Sequence, residues 1–239
     1  MSGHSHAKTV ARTKGTADAK RSKAFSKMAR AIIVAAKEGG GDPNTNSKLR
    51  IVIDQAKQVN MPKDKIERSI KKGTGELEGG KLESVIFEAY GPNNIAIILE
   101  GITDNKNRTL AEVKKILNQY HGKLASEGSV KWLFERKGSI LVNNEQGAVN
   151  TEELEMDAIE AGAEDILEQD DFVIIYTKPD ELEKVKKNLE EKSIKIESSS
   201  LDWIAKEQTE ADGKESLEKL FGALDDNDDI QNIYSNLKP

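Results

Sequence analysis

The sequence predicts a multi-domain chain of α and α+β type: an N-terminal three-helix bundle followed by two α+β domains, one ferredoxin-like and inserted in the other. Three observations predict it. Apolar residues recur at helical spacing up to about residue 70 and at strand spacing from residue 84 onward. Residues 138–200 follow the order βαββαβ, the split βαβ pattern. Charge divides along the same line. Residues 1–80 hold 17 Lys/Arg against 8 Asp/Glu, a net +9, and residues 81–239 hold 19 against 34, a net −15, within a total of −6. The predicted units are a basic arm, bundle and linker over 1–80, a discontinuous α+β domain over 81–137 and 201–239, and the inserted domain over 138–200.

Taken in order, the first helix carries Phe25, Met28, Ala29, Ile32, Ile33 and Ala36 on one stripe of period near 3.6. At about 100° per residue, Lys20, Lys23, Lys27 and Arg30 cluster on the face opposite that stripe. Gly3 to Gly15 shows no such pattern and reads as an arm ordered only by a partner. Gly39, Gly40 and Gly41 break the helix, and Asp42-Pro43-Asn44 forms a turn. A second helix spans about Thr45 to Val59, with Leu49, Val52, Ile53, Ala56 and Val59 inward. Pro62 suits the start of a third, short helix, with Ile66 and Ile70 inward and Gly73 as its stop. Gly75, Gly79 and Gly80 make a flexible linker.

The next segment reads ββαβ. Its strands are Val85–Tyr90, Ile95–Leu99 and Val130–Phe134, and its helix has Leu110, Val113, Ile116, Leu117 and Tyr120 on one stripe and ends at Gly122. The apolar run Ile95–Leu99 marks a central strand. In the inserted segment, strands at Ile140–Val142, Asp165–Gln169, Phe172–Tyr176 and Ile194–Ser200 alternate with two helices. One has Leu154, Ala158, Ile159 and Ala161 inward, the other Leu182, Val185 and Leu189. The remainder offers a strand at Trp203-Ile204, a helix with Leu217, Leu220, Phe221 and Leu224, and a strand at Ile230–Tyr234. It is too short to stand alone, and the ββαβ unit needs a second layer, so the tail is expected to return to it.

Several chemistries are excluded or disfavoured. There is no cysteine, hence no disulfide, thiol nucleophile or Cys-ligated zinc. No apolar run reaches the length of a membrane span, and no apolar signal-peptide core follows the N-terminus. Nucleotide-loop, nucleophile-elbow and zincin motifs are missing. His4 and His6 lack a third ligand nearby, and His121 at a helix end reads as a C-terminal cap or a partner of the helix dipole. The acids Asp225, Asp226, Asp228 and Asp229 read as solvated tail. The loop Thr103–Thr109 reads as capped by Asn105 or Asn107 rather than as a contact loop, and Trp132, Phe134, Tyr90 and Trp203 read as core. No enzyme activity, cofactor, metal or small-molecule substrate is expected.

What remains is charge. Gly3 to Lys37 holds nine Lys/Arg and one acid, Asp18, so a polyanion is the expected partner. The candidate nucleic-acid-binding residues are Lys8, Arg12, Lys14, Lys20, Arg21, Lys23, Lys27 and Arg30. An internal attraction between the basic and acidic parts is the competing use of the same charge.

Four stretches together resemble the YebC family, which includes the mitochondrial translational activator of cytochrome c oxidase. They are GHS with TADAKRSKAFSK, then NMPKDKIERSIKKGTG, then FEAYGPNNIAIILEGITDNKNRT running on to SEGSVKWLFERKG, and finally AIEAGAED with DDIQNIYSN. The resemblance implies a helical bundle plus two α+β domains and a cytoplasmic bacterial protein without a transit peptide. It implies a probable transcriptional regulator binding DNA through its basic N-terminal domain. The alternative is a ribosome-associated translational activator that binds ribosomal RNA and relieves stalled elongation. One departure is plain: where the family commonly has GHSKW, this chain reads Gly3-His4-Ser5-His6-Ala7, without the Lys and the aromatic.

Overall fold

A computed structural model describes residues 17–144, 151–169, 172–211 and 214–238, with side chains from Lys20 onward. Its N-terminal part is a three-helix bundle of α1 (Ala17–Gly39), α2 (Ser47–Gln58) and α3 (Lys63–Thr74). The bundle core joins Ile32, Ala35 and Ala36 of α1 to Leu49, Ile53 and Ala56 of α2, Met61, and Ile66 of α3. Phe25, Met28 and Ala29 pack at its edge, so the helical stripe is in the expected place. Asn46 secures the turn between α1 and α2. Its Oδ1 accepts from the Leu49 N–H at 3.1 Å, and its Nδ2 donates to the carbonyls of Ala35 and Gly40, both at 2.8 Å.

Gly73 does not end α3. That role falls to Gly75, whose φ of 84° is left-handed and costs a glycine little. Gly73 lies inside the helix because α1 passes directly over it. A Cβ there would press on the Ile33 carbonyl oxygen and come within 2.7 Å of Ala36 Cβ. Gly73→Ala is expected to destabilise the bundle by about 1–3 kcal/mol through overpacking. Urea unfolding followed by circular dichroism checks it.

The first sheet has the order β3-β1-β2-β8, built from β1 (Glu83–Tyr90), β2 (Ala96–Thr103), β3 (Lys123–Leu124) and β8 (Ile230–Ser235). Every neighbouring pair is antiparallel. Strand β2 is central and apolar almost throughout, which suits burial on both faces. One face is covered by α4 (Lys106–Gln119), through Val113 and Leu117, and by α7 (Lys214–Asp225), through Leu217, Leu220, Phe221 and Leu224. The chain tail therefore returns to this sheet.

The second sheet has the order β5-β6-β4-β7, from β4 (Phe134–Asn143), β5 (Asp165–Gln169), β6 (Phe172–Thr177) and β7 (Ile196–Ala205), again antiparallel throughout. With α5 (Thr151–Ala161) and α6 (Leu182–Glu191) on one face, this is the ferredoxin-like arrangement. All its strands lie in sequence between β3 and β8, so one α+β domain interrupts the other. Asp170 and Asp171, expected to turn the β5–β6 hairpin, lie outside the described residues.

Five further local expectations are corrected. Residues 131–133 form a 3-10 turn rather than a strand, and a single long strand, β4, starts at Phe134 in the second sheet. Trp203-Ile204 is not a separate tail strand but the end of β7, paired with Arg136 and Glu135 of β4. Ile159 and Val59, expected inward, are exposed. Trp132 is 65% exposed and so is not core, whereas Phe134 is buried.

The two sheets meet through a polar joint around Glu100. Its carboxylate accepts from Arg136 (2.7 Å), Trp203 Nε1 (2.9 Å), Asn232 Nδ2 (3.3 Å) and the Tyr234 hydroxyl (3.2 Å). The bundle touches both α+β units. Helix α2 sends Ile51 into the core of the second sheet, flanked by Arg50–Glu183 at 2.6 Å and Lys186–Asp54 at 2.9 Å.

Candidate nucleic-acid interface

The eight candidate cations divide into three groups. Lys8, Arg12 and Lys14 lie outside the described residues. Lys20 and Arg21 stand in the first turn and a half of α1, and Arg21 is exposed, with no ion pair among the described residues. Lys23, Lys27 and Arg30 follow at i, i+4 and i+7 on one face of α1, and all three engage carboxylates at the end of α7 and the start of β8.

Lys23 Nζ lies 3.1 Å from Asp226 and 3.5 Å from Asp225. Lys27 Nζ donates to Asp225 Oδ1 at 2.7 Å and to the Asp225 carbonyl at 3.2 Å. Asp225 closes α7, so these ammonium groups also meet the negative end of the helix dipole. The Lys27 side chain is only 11% exposed. Burial pushes its ammonium below the ordinary lysine range, and the Asp225 charge offsets that only in part.

Arg30 reaches the deepest carboxylate, Asp229, and also donates to the carbonyls of Ile102 (3.2 Å) and Asp228 (3.1 Å). The other Asp229 oxygen accepts from Thr109 Oγ1 at 2.6 Å, Arg108 Nη2 at 2.7 Å and Thr103 Oγ1 at 3.1 Å. Burial alone would raise this carboxyl. The donors from Thr109, Arg108, Arg30 and Thr103 outweigh it and hold the pKa down at about 2. Asp229 is therefore not the solvated tail acid expected from its setting; its side chain is 5% exposed.

The polar loop before α4 serves both ends of this arrangement. Asn105 Oδ1 caps the helix by accepting from the Arg108 N–H at 3.1 Å, as expected. Thr103, Arg108 and Thr109 of the same loop build the socket for Asp229. Sequence reading missed that socket because its occupant lies 120 residues further along the chain.

His121 occupies the left-handed region after α4, at φ of 59°, and the Gly122 N–H returns to the Leu117 carbonyl at 2.8 Å. His4 and His6 lie outside the described residues. Among the described residues, no group of three or more acids and histidines is placed to hold a metal ion, and no helix is long and apolar enough to cross a membrane.

Residues 5–76 match the family model of the TACO1/YebC protein N-terminal domain, and residues 82–237 match that of the TACO1/YebC second and third domain. The chain belongs to the TACO1/YebC family. A relative from Pseudothermotoga lettingae, named a probable transcriptional regulatory protein, is 49% identical over 240 residues, covering 100% of this chain and 94% of its own. One of the same name from Halothermothrix orenii is 44% identical, over 99% of this chain and 94% of its own. The crystal structure of a conserved hypothetical protein from Aquifex aeolicus superposes with a TM-score of 0.85 at 44% identity, covering 95% of this chain and 93% of that one. The bundle and the interrupted pair of α+β domains are thus the TACO1/YebC architecture.

Proposed function

We propose that this TACO1/YebC protein is a non-enzymatic, cytoplasmic regulator of gene expression that binds nucleic acid through its basic N-terminal region. Relatives from several bacteria carry the name of probable transcriptional regulators, and DNA is the polyanion that name suggests. One observation carries the reading: the separation of charge, +9 over residues 1–80 against −15 over the rest. Lys23, Lys27 and Arg30 already have counter-anions within the chain. The binding role therefore falls first on Lys8, Arg12 and Lys14 of the arm and on Arg21 at the start of α1, which is exposed and without an ion pair among the described residues. Contacts of this kind position a protein on phosphates without reading sequence.

Binding to duplex DNA is expected to weaken linearly in log–log terms with salt, with a slope of about −0.9 per neutralised phosphate. Replacing Lys8, Arg12, Lys14 and Arg21 together by alanine should flatten that slope by roughly one per lost contact. These positions leave the α1–α7 ion pairs intact, so a change in binding is not a change in folding. An unaltered affinity and slope would overturn the assignment.

A second reading, ribosomal RNA in translation, is favoured by the face of α1. Its central cations are tied to carboxylates, so α1 does not present the free row of side chains that a groove-reading helix needs. Crosslinking in cells with sequencing of the bound nucleic acid separates the two readings.

A further inference from the structure

Trp132 is the largest side chain exposed on the body, and it is held rather than loose. Its indole N–H donates to the Ser129 carbonyl at 3.0 Å, and the Tyr90 hydroxyl donates to the same oxygen at 3.2 Å. The loop that carries it is fixed from beneath. Glu88 of β1, 5% exposed, accepts from the backbone N–H groups of Gly128 (2.6 Å), Val130 (2.6 Å) and Lys131 (2.8 Å). The indole is thus presented at 65% exposure from a rigid mount.

Two cations stand with it. Lys131 adjoins it in sequence, with its Nζ 5.1 Å from the centre of the Trp203 ring. Lys123 lies over Tyr90, 5.5 Å from that ring's centre. Neither has a carboxylate within ion-pair distance among the described residues, unlike Lys23, Lys27 and Arg30. The Glu88 carboxylate beneath them accepts three backbone N–H groups and also attracts the Lys131 ammonium, without reaching ion-pair distance. One exposed acid, Glu127, sits in the same loop.

A fixed, exposed indole in a loop with exposed cations that have no carboxylate at ion-pair distance among the described residues matches one ligand chemistry. Unstacked bases pile on aromatic rings, and the phosphates between them meet the ammonium groups. Duplex DNA offers the phosphates but keeps its base faces covered. We propose that the surface formed by Trp132, Lys131, Lys123 and Tyr90 is a binding site for single-stranded RNA, on which Trp132 stacks a base. This deepens the nucleic-acid reading above and rests on it.

The test uses the full chain, a short fluorescein-labelled oligouridylate and a DNA duplex of equal length, with anisotropy as the readout. Trp132→Ala should weaken oligouridylate binding by about 5- to 100-fold, the range for losing one base–aromatic stack. The loss on duplex should be much smaller. Trp132→Phe should recover most of the affinity, because it restores a stacking face. Oligouridylate should quench the indole emission of the wild type, and Trp132→Phe should remove that quenching. Lys131→Glu with Lys123→Glu should weaken oligouridylate binding, and Glu127→Gln should strengthen it.

Trp132 is exposed, so unchanged circular dichroism is expected to accompany Trp132→Ala. Equal oligouridylate affinity of wild type and Trp132→Ala would overturn the site while leaving duplex binding by the arm in place. Failure of the wild type to bind either probe would overturn the general reading and this site together. A change in sedimentation on Trp132→Ala with unchanged RNA affinity would assign the surface to contact between two copies of the chain, and would also overturn it.

Discussion

Asp229→Ala is expected to destabilise the protein by about 2–4 kcal/mol, among the largest effects of any single surface-to-core polar change in this chain. The substitution strips four donors of their shared acceptor. Thr103 and Thr109 are fully buried, so their hydroxyls lose a partner with no water to replace it. Arg30 and Arg108 are partly exposed and recover some hydration, which keeps the figure below that of a fully buried pair. Asp229→Asn keeps the shape but not the charge and should lie between the two. Urea unfolding gives the number, and faster proteolysis within α1 would show that the helix has come away from the body.

The same carboxylate makes the protein acid-sensitive in a defined window. Its folded pKa of about 2 lies below the ordinary value of 3.8, so folding favours the ionised form. The resulting stability is full above about pH 4 and is lost as pH falls through about 2. Its size is on the order of 1–2 kcal/mol after allowance for the partial exposure of the two arginines. Stability measured from pH 5 to pH 2 should fall less steeply in Asp229→Ala than in the wild type. A parallel pair of curves would show that Asp229 does not contribute to acid lability.

The second large effect is expected from Glu88. Glu88→Ala leaves the N–H groups of Gly128, Val130 and Lys131 without their acceptor, at a cost of about 2–3 kcal/mol. Glu88→Gln is little better, because its amide presents donors to donors on one side. Burial would push the Glu88 carboxyl up, yet the three backbone donors bring it below the usual glutamate range. Amide hydrogen exchange should accelerate over residues 125–133 in both variants. If the loop stayed protected, the carboxylate would not be its anchor.

The division between what sequence disclosed and what it withheld follows from distance along the chain. The stripe of α1, the central place of β2 and the buried row Leu217, Leu220, Phe221 and Leu224 were all legible, because a period needs only near neighbours. The Asn105 cap was legible for the same reason. The partners of Lys23, Lys27 and Arg30 were not. Helical spacing shows that three cations share a face, but not that three aspartate side chains about 200 residues later fold back against it. Even so, the +9 and −15 halves already made an internal attraction one of two readings.

Trp132 was misread for a different reason. Alternation with Phe134 implies a shared face only if both lie in one strand, and the 3-10 turn at 131–133 breaks that premise. The Glu88 anchor that shapes the turn lies more than 40 residues upstream and has no local signature. Ile159 and Met156 stand exposed on α5 although neither interrupts its helical pattern; nothing in the structure explains them.

The pairing of α1 with the end of α7 also sets an order of events during synthesis. Strands β4 to β7 are complete once residue 205 has been made, so the second sheet can close early. The first sheet cannot, because its central strand β2 waits for β8 at residues 230–235. Contacts that span nearly the whole chain form late. Until Asp225 to Asp229 emerge, the basic face of α1 stands uncovered beside the ribosome that is making it. The acids that cover it lie about 200 residues after it in the chain.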